Sequence, residues 1–141
     1  MVFTTMLNRN PDFLRLYQRG AFCSLGSALL YAMPNGKSCN RLGITAGKKV
    51  GCAVKRNRAK RIIRAAYTAC EMEMPIGLDI VIVARHTLPE ENSAVLTEAL
   101  RTRGLRHLIG VSDGSIRPEP NKRSTGGKPK AGQKTAAAKK Q

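Results

Sequence analysis

The chain has 141 residues and carries 25 Lys and Arg against 9 Asp and Glu, which gives a net charge of +16. This excess of positive charge favours a polyanionic partner, either nucleic acid or an anionic membrane surface. No apolar run approaches the roughly 18 residues that span a bilayer, and the first residues lack the pattern of a signal peptide. The sequence therefore favours nucleic acid and predicts a cytoplasmic protein that does not bind membranes.

The cysteines and histidines form no pattern typical of a metal or redox site. Cys23, Cys39, Cys52 and Cys70 are too far apart for a CxxC motif, and neither histidine lies near a cysteine. Four reduced thiols and no organic cofactor are expected, and the sequence does not identify protein groups that bind metal. Ser, His and Asp do not cluster in a hydrolytic pattern, so no catalytic residue is predicted in the protein.

Residues 10–20, NPDFLRLYQRG, predict a short helix with both ends marked. Asn10 is expected to cap its N-terminus, and Gly20 is expected to end it in the left-handed conformation. Phe13 and Tyr17 are four residues apart, which places them on one face of this helix.

Three later segments read as strands. ALLYAM at 28–33 and RLGITAG at 41–47 flank the turn PNGKSCN, which predicts an antiparallel hairpin. LDIVIVAR at 78–85 is apolar almost throughout, which is typical of a central strand covered on both faces.

The C-terminal part of the chain divides into a helix and a tail. Thr87 with Glu90 suggests a capping box, and a last helix is expected over about 90–109. Residues 112–141 are rich in Gly, Pro and basic residues and contain no aromatic residue, which predicts a disordered basic tail. The expected division is one domain at 1–111 and a tail at 112–141.

A helix from about 52 to 72 is the strongest prediction, because six apolar residues recur at helical spacing. These are Ala59, Ile62, Ile63, Ala66, Tyr67 and Cys70. The other side of the helix carries a basic set with one amide: Lys55, Arg56, Asn57, Arg58, Lys60, Arg61 and Arg64. From Arg41 to Arg64 the chain has nine basic residues and no acid. Repeated like charges destabilise an isolated helix, so this face predicts a polyphosphate partner rather than a solvated surface.

The segment RLGITAGKKVGCAVKRNRAKRIIRAAY resembles the signature region of the bacterial ribonuclease P protein family. The family pattern is a strand that ends in a Lys pair, then a Gly, then a helix with Arg-Asn-Arg, Lys-Arg and a further Arg. Lys48, Lys49 and Gly51 match its start, and the basic set of the helix matches the rest. The resemblance covers roughly residues 7–109, and it departs from the common pattern at Gly47 and Cys52.

The resemblance implies a small α/β (α+β) two-layer sandwich, with about four strands and three helices in the order α-β-β-β-α-β-α and a left-handed βαβ crossover. It also implies a subunit of an endoribonuclease that removes the 5′ leader of precursor tRNA, with the chemistry and its Mg²⁺ in a catalytic RNA. The expected partners are that RNA and precursor tRNA, with no obligate protein partner.

The resemblance assigns two sets of RNA-binding residues. The basic set of the helix, Lys55, Arg56, Asn57, Arg58, Lys60, Arg61 and Arg64, is expected to bind the catalytic RNA. A cleft formed by Phe13, Tyr17, Tyr31, Lys48 and Lys49 is expected to bind the leader, since aromatic faces stack on single-stranded bases.

Two other functions share some of these features. A structural RNA-binding protein of the ribosomal type would share the charge and the basic helix, but not the whole order of motifs. A DNA-binding protein would need a helix-turn-helix, and strands are predicted on both sides of the basic helix. Ordinary core packing is the alternative role for Phe13 and Tyr17.

Overall fold

The computed structural model describes residues 4–116, which form one mixed sheet with helices on both faces. The five strands are β1 (Thr4–Met6), β2 (Ala21–Ser24), β3 (Ala28–Pro34), β4 (Asn40–Thr45) and β5 (Leu78–Ala84). The helices are α1 (Asn10–Arg19), α2 (Ala53–Cys70), α3 (Ser93–Ala99) and α4 (Leu105–Asp113), and a π-helical turn, Leu100–Gly104, joins the last two into one continuous helix. The fold class agrees with the expectation, with one strand more than the four expected.

The strands lie in the order β1-β4-β5-β3-β2, so β5 separates β3 from β4. The predicted hairpin of β3 with β4 is therefore wrong. β5 pairs parallel to β4 and antiparallel to β3, because a strand that is apolar on both sides gains most from a central position. β4 and β5 are joined through α2, which gives the βαβ crossover that the resemblance implies. The left-handed sense of this crossover stays a prediction.

Alternation along the strands creates two separate cores. On one face of the sheet, residues such as Leu30 and Ile80 pack beneath α2, α3 and α4 in the main core. All six residues of the predicted apolar stripe of α2 are buried there, which confirms that helix. On the other face, Leu16 of α1 packs with Tyr31 and Val81 in a smaller core.

Helix ends differ from the expectations in three places. Asn10 is the first residue of α1 rather than its cap. Gly20 has φ −72°, so it is not left-handed; glycine suits this position because a Cβ would lie 2.6 Å from the carbonyl oxygen of Leu16. The expected capping box gives only a 3₁₀ turn, and the last helix begins after Asn92, whose side-chain oxygen accepts a hydrogen bond from the backbone N–H of Val95.

The last helix runs to Asp113, four residues beyond the expected end, and Gly114 follows it with φ 86°. Most of the predicted basic tail lies outside the described residues. None of the helices in residues 4–116 is long and apolar enough to cross a membrane.

A buried ion pair joins the two central parallel strands on the face that carries α1. The Arg41 guanidinium donates to both oxygens of Asp79, at 2.8 Å from Nε and 2.6 Å from Nη2. Asp12 in the first turn of α1 lies 3.5 Å from Arg41 and also pairs with Arg15. Asn35 donates to Asp79 at 3.0 Å. This network ties the start of α1 to the sheet.

Charge governs the pKa of Asp79. Burial acts to raise it, but hydrogen bonds from Arg41 and Asn35 outweigh burial and hold this pKa below its ordinary value of 3.8. A carboxyl group whose pKa is depressed in the folded state stabilises the protein above its unfolded pKa. That stabilisation is lost as the pH falls through the folded pKa.

We expect Asp79→Asn to lower the free energy of unfolding by about 2 kcal/mol at neutral pH, because Arg41 then keeps a half-buried charge without its main partner. Urea unfolding from neutral pH down to about pH 2 measures the effect. The difference in unfolding free energy between the variant and the wild type should narrow below pH 3.8.

Glu73→Gln is the matched control, since it removes the exposed ion pair between Glu73 and Arg101 at 3.8 Å. It should cost less than about 1 kcal/mol. A gap for Asp79→Asn that stayed constant at all pH values would contradict the role of charge.

Candidate nucleic-acid interface

The basic face of α2 is accessible over most of its length. Arg58, Arg61 and Arg64 are exposed, as are Lys55 and Asn57. The remaining two members of the predicted set, Arg56 and Lys60, are half-buried. The Nε atom of Arg56 is buried and has no acceptor among the described residues. The apolar stripe faces the main core, so the predicted set lies on one outward surface.

No acid neutralises this face within residues 4–116. The ion pairs there join Arg15 and Arg41 to acids on α1 and β5, and Arg101 to Glu73. None involves a cation of α2. Arg41, counted in the basic block from the sequence, does not belong to this surface, because it is held by Asp79 and Asp12. Eight cations without an acidic partner among the described residues therefore lie together on α2 and the turn before it.

Lys48 and Lys49 lie on that turn, a short 3₁₀ helix between β4 and α2, and both are exposed. Gly51 follows with φ 135°, a backbone conformation that other residues rarely adopt. A Cβ on Gly51 would also lie 2.9 Å from Cδ of Lys55. This glycine lets the chain bend sharply enough to bring the Lys pair next to the first turn of α2.

The two departures from the family pattern lie at the same place. Gly47 is exposed, with open space where a side chain would be. Cys52 is the exposed N-cap residue of α2. The backbone N–H groups of Lys55 and Val54 lower the pKa of the Cys52 thiol, since they stabilise the thiolate at the positive end of the helix.

A second surface lies on the other face of the sheet, where an aromatic row crosses four strands. Strand register aligns Gly43 of β4, Val81 of β5, Tyr31 of β3 and Phe22 of β2. The rings of Phe22 and Tyr31 are 5.4 Å apart between centroids. Tyr31 is only 3% exposed, so it forms the floor of the surface rather than its accessible part.

Helix α1 places two further rings over this row. Tyr17 meets Tyr31 edge to face, with centroids 5.2 Å apart. The Phe13 ring lies directly on the backbone of Gly43, where a Cβ would be 2.5 Å from its Cε1 atom. Both rings are half-buried, with one part packed and one part accessible. The structure therefore brings together the three aromatic residues predicted for the cleft.

Burial raises the pKa of Tyr17 to about 12, although a hydrogen bond with the Thr45 side chain acts in the opposite direction. The phenol is neutral at physiological pH, as that of an unperturbed tyrosine also is. Beyond the aromatic row, the next row across the sheet consists of Thr45, Val83, Leu29 and Ser24. The first three are half-buried and Ser24 is exposed, so the sheet face opens away from α1 as a cleft.

Sequence reasoning missed Phe22, because β2 is short and shows no alternation of apolar and polar residues. The one available signal was a large ring among small residues in AFCS. Within residues 4–116, no three His, Cys, Asp or Glu side chains come together in a way that could hold a metal ion.

Comparison with known proteins supports one family. The model of the Ribonuclease P family matches residues 3–107. The ribonuclease P protein component of Brevibacillus brevis is 44% identical over 80 residues, which span 56% of this chain and 64% of that protein. The corresponding protein of Caldanaerobacter subterraneus subsp. tengcongensis is 33% identical over 96 residues, which span 68% of this chain and 83% of that protein.

Solved structures agree with this result. The RNase P protein from Thermotoga maritima superposes with a TM-score of 0.64 at 28% identity, covering 73% of this chain and 96% of that one. The Staphylococcus aureus RNase P protein gives a TM-score of 0.61 at 27% identity, covering 76% and 94% of the two chains. A match over most of the described domain, in sequence and in fold, shows that the chain belongs to the family of bacterial ribonuclease P protein components.

Proposed function

We propose that this subunit binds the catalytic RNA of ribonuclease P through α2 and binds the 5′ leader of precursor tRNA in the cleft between α1 and the sheet. The holoenzyme then removes the leader in the cytoplasm to give the mature 5′ end. The observation that carries the proposal is the presence of two chemically different surfaces on one small domain, an unneutralised cationic helix and an aromatic cleft.

The α2 surface suits a folded RNA. Arg56, Lys60 and Arg64 are spaced at i, i+4 and i+8, so they form a line along the helix. Each guanidinium can hold two phosphate oxygens, whereas Lys60 offers a compact charge. Asn57 adds a neutral donor and acceptor beside this line. Such a row of charges follows a phosphate backbone without requiring a particular base sequence.

The cleft suits a single strand. Half-buried rings of Phe13 and Tyr17 offer faces on which bases stack, and every base has such a face. Lys48 and Lys49 are exposed at the carboxyl end of β4, where their positive charge can attract the phosphates of the leader. Under this proposal the cleft accepts leaders of any sequence, because stacking and charge do not depend on base identity.

In this proposal the protein supplies binding, and the RNA with its Mg²⁺ supplies the hydrolytic chemistry. The protein screens phosphates at α2 and holds the leader, which favours the productive complex. The direct test is cleavage of precursor tRNA by a bacterial ribonuclease P RNA at low Mg²⁺, with and without this protein. Strong stimulation, without cleavage by the protein alone, supports the proposal. No stimulation, with RNA binding that persists and is steeply salt-dependent, would instead favour a structural RNA-binding protein.

Arg58→Ala should weaken binding of the catalytic RNA by about tenfold, because an exposed guanidinium no longer contacts phosphate. The slope of log affinity against log salt should fall by about 1. Filter binding to the RNA without precursor tRNA measures both quantities. Arg19→Ala is the matched control, since Arg19 is also an exposed helical arginine but lies on α1. Equal losses in the two variants would contradict the assignment of α2.

Tyr17→Ala should weaken precursor-tRNA binding by the holoenzyme by about tenfold, because one stacking face is lost. The loss should appear with leaders that reach the cleft and vanish with a leader of one nucleotide. Tyr17→Phe keeps the ring and removes only the hydrogen bond to Thr45, so it should retain most of the affinity. Affinity that does not change with leader length in either variant would contradict the cleft assignment.

Gly43→Ala tests the position of the Phe13 ring without changing an aromatic residue. The new methyl group would overlap that ring and also lie 3.2 Å from Val81 Cγ2, so the ring must move. We expect a loss of leader-dependent affinity and a cost of about 1–3 kcal/mol in stability, with unchanged binding of the catalytic RNA. An equal loss of both affinities would show general unfolding instead.

A further inference from the structure

Two arginines from distant parts of the chain meet at the turn between β2 and β3. Arg85 follows the last residue of β5, and its Nη1 atom donates to the carbonyl oxygen of Gly26 at 3.2 Å. Arg103 comes from the π-helical turn, and its Nη2 atom lies 3.9 Å from the position that a Cβ on Gly26 would occupy. Both side chains are exposed. The two guanidinium groups therefore approach one small turn from different elements.

Neither arginine is neutralised within the part of the chain that the structure describes. No carboxylate there lies within ion-pair distance of Arg85 or Arg103. Glu91 is close in the fold, but its Oε1 atom accepts a hydrogen bond from Ser27 at 2.7 Å. Two like charges directed at one turn repel each other, and a shared anion would relieve that repulsion.

The π-helical turn is what brings Arg103 to this place. Leu100–Gly104 is wound more widely than an α-helix, which changes the direction of every side chain that follows it. Gly104 is buried, and a Cβ there would lie 2.6 Å from Leu100 Cδ1 and 3.5 Å from Leu25 Cδ2. The wide turn is therefore packed against Leu25, the residue that precedes Gly26.

The arginine pair lies where the open cleft ends. The backbone N–H of Arg85 donates to the carbonyl oxygen of Ser27 at 2.9 Å, which continues the pairing of β5 with β3 by one residue. Side chains along a strand alternate between the two faces of the sheet, so Arg85 points to the same face as Val81 and Val83. That face carries the cleft. Arg103 approaches the same turn from the helical layer, through the contact near Gly26.

We propose that Arg85 and Arg103 form a phosphate-binding pair that holds the leader backbone where it leaves the cleft. The inference rests on the proposed function and adds to it a contact beyond the aromatic row and the Lys pair. Guanidinium groups suit this role, because each planar fork can engage two oxygens of one phosphate. The occupant is the leader rather than the catalytic RNA, because the pair continues the cleft face and not the α2 surface.

The test uses the holoenzyme assembled on a bacterial ribonuclease P RNA, with precursor tRNAs whose leaders are lengthened one nucleotide at a time. Arg103→Gln and Arg85→Gln should each weaken binding by about fivefold, only for leaders long enough to pass the cleft. The salt slope should fall by about 1 for those leaders alone. Arg106→Gln is the matched control, since Arg106 is an exposed arginine on the following helix, and it should change neither quantity.

Tyr17→Ala separates failure of this inference from failure of the proposed function. A leader-dependent loss in Tyr17→Ala, without one in Arg103→Gln or Arg85→Gln, would overturn the arginine pair alone. No leader-dependent loss in any of the three variants would overturn the proposed cleft as well. If either arginine variant instead weakened binding of the catalytic RNA itself, measured without precursor tRNA, that result would also overturn the pair as a leader site. Thermal unfolding of each free variant checks that the fold is intact.

Discussion

The ion pair between Arg41 and Asp79 is the interaction on which the α1 side of the molecule depends. A carboxylate that is only 2% exposed is tolerated because its charge is compensated, and removal of one partner of such a pair is costly. Through Asp12 the same network fixes the first turn of α1 over the sheet. The position of α1 in turn sets where Phe13 and Tyr17 lie, so this network of charges determines the shape of the aromatic cleft.

The sheet separates the α2 surface from the aromatic cleft. Each face has its own core, and α2 belongs to one while α1 belongs to the other. Within the described residues, the cations of the α2 surface have no acidic neighbour that neutralises them. The cleft instead combines neutral aromatic rings with positive charge at its rim. In the function that we propose, this division lets one small domain contact a structured RNA and a flexible strand at the same time.

Much of α2 was predictable because its signals are local. Six apolar residues and the basic set opposite them lie within one helix, and the structure buries the apolar residues and exposes five of the seven in the basic set. The pairing of β3 was not predictable in this way, since it depends on which strand gains most from burial on both faces rather than on which is next in sequence. Arg41 illustrates the same limit at the site: in sequence it belongs to a basic block, but its partners Asp12 and Asp79 come from other elements. Phe22 joins the cleft only through strand register.

The central position of β5 has a consequence for synthesis of the chain. A nascent protein that has not reached Leu78 contains β3 and β4 without the strand that joins them. The start of the chain is equally dependent on later residues, because Thr4 hydrogen bonds to Glu71 and lies within hydrogen-bonding distance of the Tyr67 hydroxyl, at 2.6 and 2.8 Å. The sheet therefore cannot close progressively behind the ribosome. Folding must wait for β5, which makes this domain a unit of high contact order that assembles late and as a whole.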